Sequence, residues 1–127
     1  MNDYENELLD LTSELLQCIA EKDWETYVRL CDPSLTAFEP ESLGQRVEGL
    51  SFHQFYFELD SSTGLSQTTI VDPHVRIMGN VAVVSYPRLE QRVDSSEQPL
   101  SLKFQETRVW QRVDGEWLHV HFHRSAL

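Results

Sequence analysis

Two arginines sit among apolar residues at strand spacing. Leu102, Phe104, Arg108 and Trp110 share parity, and so do Leu118, Val120, Phe122 and Arg124. Side chains of equal parity leave a strand on the same side, so each apolar face is expected to carry a guanidinium. A guanidinium keeps its charge, and burying it without an anion is costly. The chemistry this points to is anion binding, either of a guest or of an internal carboxylate. Ala82, Val84, Tyr86 and Arg88 repeat the pattern and add a third arginine. Pro87 beside it cannot donate to a ladder and marks an edge or a bulge, which would shift the register. Glu106 has the parity of Arg108, and Glu58 and Glu90 are other candidate partners. One arginine is expected to pair with Glu106. The others are expected to stay available to a carboxylate ligand.

His119, His121 and His123 form an alternating triplet that parity puts on the opposite face of the final strand. Alternate histidines can chelate a transition metal. A structural site needs about four good ligands, and no cysteine or carboxylate stands at an obvious ligand spacing to these three. A polar sheet face is the expectation, with no metal and no cofactor. His53 is a candidate pocket donor. Neither a Ser-His-Asp order, a GxSxG elbow nor a phosphate-binding loop is present.

The chain has 127 residues and a net charge of −11, enough for one domain (1–127) with a real core. So acidic a surface argues against nucleic acid and anionic membranes as partners. The N-terminus lacks a basic and apolar leader, and no apolar run approaches about 18 residues. Cys18 and Cys31 lack CxxC spacing. A cytoplasmic chain with two reduced thiols is expected.

The elements that must position the arginines follow from periodicity. Asp3 is the expected cap of a first helix of about 18 residues, with Tyr4, Leu8, Leu11, Leu15 and Ile19 along one stripe. Asp23 caps a second helix, whose inner face is Trp24, Tyr27, Val28 and Cys31. Leu35–Phe38 reads as a short strand and residues 39–44 as a turn. Ser51 caps a third helix with Phe52, Phe55, Tyr56 and Leu59 on one side. Residues 60–64 read as a solvated loop. Strands then follow over 68–78, 81–93, 100–113 and 116–124, the last two joined at Asp114-Gly115. Helices followed by a meander give an α+β fold. Its strongly curved, mainly antiparallel sheet is closed on one face by the N-terminal helices and encloses a pocket.

Three stretches resemble a known family. They run from Cys31-Asp-Pro-Ser-Leu-Thr-Ala-Phe-Glu-Pro-Glu-Ser-Leu-Gly44 on to Glu58, from Thr68 to Gly79, and from Glu106 through His-Phe-His-Arg-Ser125. They are similar to the association (hub) domain of calcium/calmodulin-dependent protein kinase II. The resemblance covers nearly the whole chain. It implies the cone-shaped fold of the nuclear transport factor 2 and ketosteroid isomerase superfamily, dimers or larger rings, and an arginine-lined pocket for small carboxylates. It places Arg88, Arg108 and Arg124 on the family's pocket arginines, and Tyr27 and His53 on its pocket tyrosine and histidine. It also implies a lid near Ser61, on a loop that is shorter here and lacks the family's tryptophan. The chain starts at the first helix, so a stand-alone module is expected. Neither kinase activity nor calcium control is expected of these residues, although a kinase or other signalling protein is a candidate partner.

The first expectation is thus a non-catalytic oligomeric module that binds a small carboxylate. A rival is an isomerase, dehydratase or cyclase of the same superfamily that uses His53, Tyr27 or Glu106 as acid or base. A third is an assembly unit whose pocket is vestigial.

Overall fold

Asn2, rather than Asp3, caps the first helix. In the computed structural model, which describes residues 1–60 and 65–127, α1 spans Asp3–Ala20. The Asn2 side chain accepts from the Glu5 backbone N–H, and Glu5 accepts from the Asn2 backbone N–H. This reciprocal pair satisfies two donors that a helix start leaves open. The buried stripe is Leu8, Thr12, Leu15, Leu16 and Cys18, whereas Tyr4 and Ile19 at its expected ends are exposed. Helix α2 (Trp24–Leu30) is capped by Asp23 as expected and buries Tyr27 and Leu30, while Val28 is exposed.

Helix α3 (Ser51–Phe57) is rotated from the expected setting. Phe55, Tyr56 and Leu59 are exposed, His53 is buried, and Phe52 and Phe57 pack against the core. Four of its seven residues are Phe or Tyr, so apolar periodicity alone does not select one face. Ser51 is its first helical residue and not its cap.

The strands are β1 (Cys31–Phe38), β2 (Val47–Glu48), β3 (Ser66–Ile70), β4 (His74–Met78), β5 (Val81–Val93), β6 (Pro99–Val113) and β7 (Glu116–Ala126). They form one curled, open sheet in the order β2-β1-β7-β6-β5-β3, with β4 also paired to β5. The sheet is mixed: β1 runs parallel to β7, and every other pairing is antiparallel. A parallel neighbour needs a long connection, and here it is the whole stretch between Phe38 and Glu116. Asp114 (φ 52°) and Gly115 (φ 82°) make the tight turn between β6 and β7. Positive φ at both central residues matches the natural twist of a hairpin.

Two registers decide where the arginines point. β5 and β6 pair without a shift from Val81↔Gln111 to Val93↔Pro99, so Pro87 makes no bulge. Its carbonyl accepts from the Val71 N–H at 2.9 Å. The N and C=O of a strand residue project to the same side, so the missing N–H faces the gap where β3 ends opposite Arg88 and β4 begins opposite Ser85. No ladder bond is lost there.

β7 departs from simple alternation. Val109 pairs with His121 but Trp110 pairs with His119, which leaves Val120 as an extra residue. This bulge puts His119 inside, on the side of Phe122, while Leu118 sits opposite the exposed Gln111. The expected face of Leu118, Val120, Phe122 and Arg124 is therefore broken, and the histidine triplet is split. His121 and His123 remain outside, both against Phe38.

The core lies between α1, α2 and the concave face, with Trp110 fully buried at its centre. The Trp110 Nε1–H donates to Thr12 Oγ1 at 3.2 Å, and that hydroxyl donates to the Leu8 carbonyl at 2.9 Å. Thr12→Val keeps the shape but strands a buried indole N–H. We expect it to lose about 1–3 kcal/mol in urea denaturation; a loss below the error of the measurement would show that the hydrogen bond contributes nothing net.

Candidate functional site

Three adjacent strands set out the polar groups of the site as a grid. Across β5, β6 and β7 one row reads Tyr86–Glu106–Arg124, the next Val84–Arg108–Phe122, and Arg88 faces Phe104 in the row on the other side. Equal parity on three strands in register brings these side chains to one concave face. That face, α1 and α3 enclose a cavity of about 890 Å³. Tyr27, His53, Arg88, Arg108 and Arg124 all line it. Leu16 and Ile19 come from α1 and Glu21 from its C-cap, and Tyr56 and Phe57 from α3. Glu39 and Glu41, from a short strap around the 3₁₀ turn Pro40–Ser42, complete one wall.

Glu106 is the electrostatic centre. Its side chain is fully buried, and the Arg88 Nε–H donates to Oε2 at 2.7 Å. The Arg108 Nη2–H donates to Oε1 at 3.1 Å, and the Tyr86 hydroxyl donates to the same oxygen at 2.8 Å. The Arg108 Nε–H in turn donates to the Tyr86 hydroxyl at 2.9 Å. Burial works against the carboxylate, but Arg108 and Arg88 outweigh it and hold the Glu106 carboxyl below its ordinary range. Arg108 is likewise buried, yet Tyr86 and Glu106 keep it charged beyond the normal arginine range. Burial pushes the Tyr86 hydroxyl up to about 12.

The arginines are not left open, contrary to expectation. Arg88 and Arg108 share Glu106, and Arg88 also lies 3.6 Å from Glu90 and donates to Thr68 Oγ1 at 3.2 Å. Arg124 donates to Glu41 and lies 3.9 Å from Glu39. The physical reason is the cost of an unpaired guanidinium at such depth. Aromatic rings cover the remaining faces: Phe104 lies 4.6 Å from Arg88 and 5.0 Å from Arg124, and Phe122 lies 4.6 Å from Arg108. Such cation–π contacts are stronger out of water.

Tyr27 is buried among Trp24, which stacks on it at 5.4 Å, Phe57 and His53. Burial drives its hydroxyl well above the ordinary tyrosine range. His53 places Nε2 2.8 Å from Glu39 Oε1, and its buried Nδ1 has no partner among the described residues. The Ser61 lid implied by the resemblance lies outside the described residues.

Sequence reasoning missed Tyr86, Glu39, Glu41 and His119. Tyr86 stood in the parity series beside Arg88. Glu39 and Glu41 stood in the Phe-Glu-Pro-Glu motif. No local signal marked His119, whose place depends on the bulge. It is fully buried, with Nδ1 3.6 Å from Cys31 Sγ and Nε2 without a partner among the described residues. Burial pushes the Cys18 and Cys31 thiols up to about 12, so neither is a ready nucleophile. No group of three or more His, Cys, Asp or Glu suited to a metal ion occurs among the described residues, nor is any described helix long and apolar enough to cross a membrane.

Comparison with known proteins agrees with this architecture. The calcium/calmodulin-dependent protein kinase type II subunit delta of Oryctolagus cuniculus is 48% identical over 123 residues, which are 94% of this chain and 23% of that protein. The chain thus spans about a quarter of the length of that curated relative. The association domain of the C. elegans kinase superposes with a TM-score of 0.90 at 42% identity, covering 98% of this chain and 99% of that one. A nuclear transport factor 2-like protein from Cytophaga hutchinsonii shares the fold over 100% of both chains, with a TM-score of 0.78 at 24% identity. The sequence profile of the calcium/calmodulin-dependent protein kinase II association domain matches residues 4–127. This chain, whose fold is that of nuclear transport factor 2-like proteins, belongs to that association-domain family.

Proposed function

We propose that the chain is a self-associating binding module whose cavity takes a small carboxylate at Arg124. The observation that carries this reading is the Arg124 pairing. Its head lines the cavity, and its hydrogen-bonded partner Glu41 has a side chain 36% exposed, while the carboxylate shared by Arg88 and Arg108 is fully buried. A guest can therefore compete for Arg124 more easily than for the other two. Arg88 and Arg108 set the positive end of the cavity, and Tyr27 and His53 offer further polar contacts. Self-association is supported by the family, whose name describes an association domain. A kinase or other signalling chain is the partner class that the 48% identical relative suggests. A cytoplasmic setting accords with two buried, unpaired cysteines.

The electrostatics of Glu106, Tyr27 and Tyr86 favour binding over turnover at those three groups. A general base works best with a pKa near the working pH. Glu106 is held ionised by two guanidiniums, and burial has made Tyr27 and Tyr86 weaker acids.

Calorimetric titration with acetate, butyrate and benzoate tests the ligand. Arg124→Ala is expected to weaken binding about 10- to 100-fold, the range for losing a hydrogen bond to a charged group. If none of the three binds either the wild-type protein or a variant that lacks the Glu41 charge, the carboxylate reading fails. Light scattering tests assembly: a mass of two or more chains is expected, and a monomer at micromolar concentration would overturn self-association.

A further inference from the structure

We infer that Glu41 is an internal stand-in for the ligand carboxylate, one that must leave Arg124 before a guest can bind. This rests on the carboxylate reading of the cavity. Arg124 has two carboxylates within reach, and they differ in freedom. Glu39 has a side chain only 5% exposed, is tied to His53 at 2.8 Å and lies 3.9 Å from Arg124. Glu41 makes the hydrogen bond, yet its side chain is 36% exposed. A half-solvated carboxylate loses little by returning to water, provided that another anion takes its place on the guanidinium. Glu39 is therefore part of the wall, and Glu41 is the exchangeable partner.

Charge points the same way. The cavity is lined by Arg88, Arg108 and Arg124 against Glu21, Glu39, Glu41 and Glu90, three cations to four anions. A guest monoanion would raise that excess. If Glu41 swings out to water as the guest enters, Arg124 stays neutralised and the excess does not grow. The strap permits this movement. Glu41 lies in a single 3₁₀ turn held by the Ser42 hydroxyl donating to the Glu39 carbonyl at 2.9 Å. Beside the strap an open groove of about 490 Å³ runs along Phe38, Pro40, Gly44 and His123 and reaches Arg124. Occupation of Arg124 by Glu41 lowers the apparent affinity in proportion to the fraction of molecules in which the site is taken.

Glu41→Gln removes the competing charge and keeps the shape. Titration of wild type and Glu41→Gln with acetate, butyrate and benzoate should show the variant binding at least about ten-fold tighter, or binding measurably where wild type does not. Equal affinities would overturn the stand-in role and leave the carboxylate reading intact. Absence of binding to both proteins up to tens of millimolar would overturn the reading and the inference with it. Hydrogen exchange gives a second readout. Amides of 41–46 should exchange faster in wild type when benzoate is added, and in Glu41→Gln should already be fast without it. A strap whose exchange ignores both changes would contradict the displacement.

Discussion

Glu106→Gln is expected to cost about 3–5 kcal/mol of folding free energy, the largest loss of any single substitution considered. The variant keeps the volume, so little cavity or strain is added. What disappears is the anion between two guanidiniums, one with a side chain 3% exposed and the other 11%. Neither can neutralise itself by losing a proton. The Tyr86 hydroxyl, which accepts from Arg108 and donates to Glu106, also loses a charged acceptor. Urea denaturation monitored by circular dichroism measures the loss. A change under about 1 kcal/mol would mean that the arginines relax towards water and that the network is not a buried unit. The combination with Arg108→Met should recover part of the loss, because a well-packed apolar residue in place of one charge is often neutral or better.

The second large effect is loss of stability in mild acid, centred on His119. Burial foremost, with Arg108 and then His53 and His121 adding repulsion, pushes its pKa well below 6.5. The groups around it are the Cys31 thiol, Trp110 and Phe122. In the unfolded chain His119 takes up a proton as pH falls through about 6.5, whereas the folded chain cannot until far lower pH. The unfolded state then binds more protons, so stability is fully present above that range and falls with pH. The slope approaches about 1.4 kcal/mol per pH unit where only the unfolded chain carries the proton. Glu106 adds a loss of the same sign below its unfolded value of about 4.5. Urea midpoints of wild type and His119→Leu at pH 7, 6 and 5 separate the contributions: the variant should lose most of the slope above pH 5. An equally steep slope in the variant would move the assignment to another group.

Much of the site was legible because period two survives wherever two long strands pair without interruption. The Leu102 to Trp110 face appeared as read, and Arg88 kept its inward place because Pro87 falls at the break between β3 and β4. The family resemblance pointed to Tyr27 and His53, and both line the same cavity. What could not be read depends on neighbours distant in sequence. The bulge at Val120 is a property of two strands, so His119 was assigned to the wrong face. The setting of α3 is chosen by the cavity wall, not by its own aromatic-rich sequence. The parallel pairing of β1 with β7 joins residues about 85 apart. The partner of Arg124 lies across a strap that has no periodicity at all.

The sheet order carries a consequence for how the molecule comes into being. β7 lies between β1 and β6, so until residues 116–126 have left the ribosome the sheet exists as two unbridged pieces. Each presents a raw edge with unmet amide and carbonyl groups, the situation that invites mispairing. Closure then depends on contacts between distant parts of the chain, which form slowly. A nascent chain without β7 is thus open to mispairing, an exposure that ends when residues 116–126 join the sheet and bring Arg124 with them.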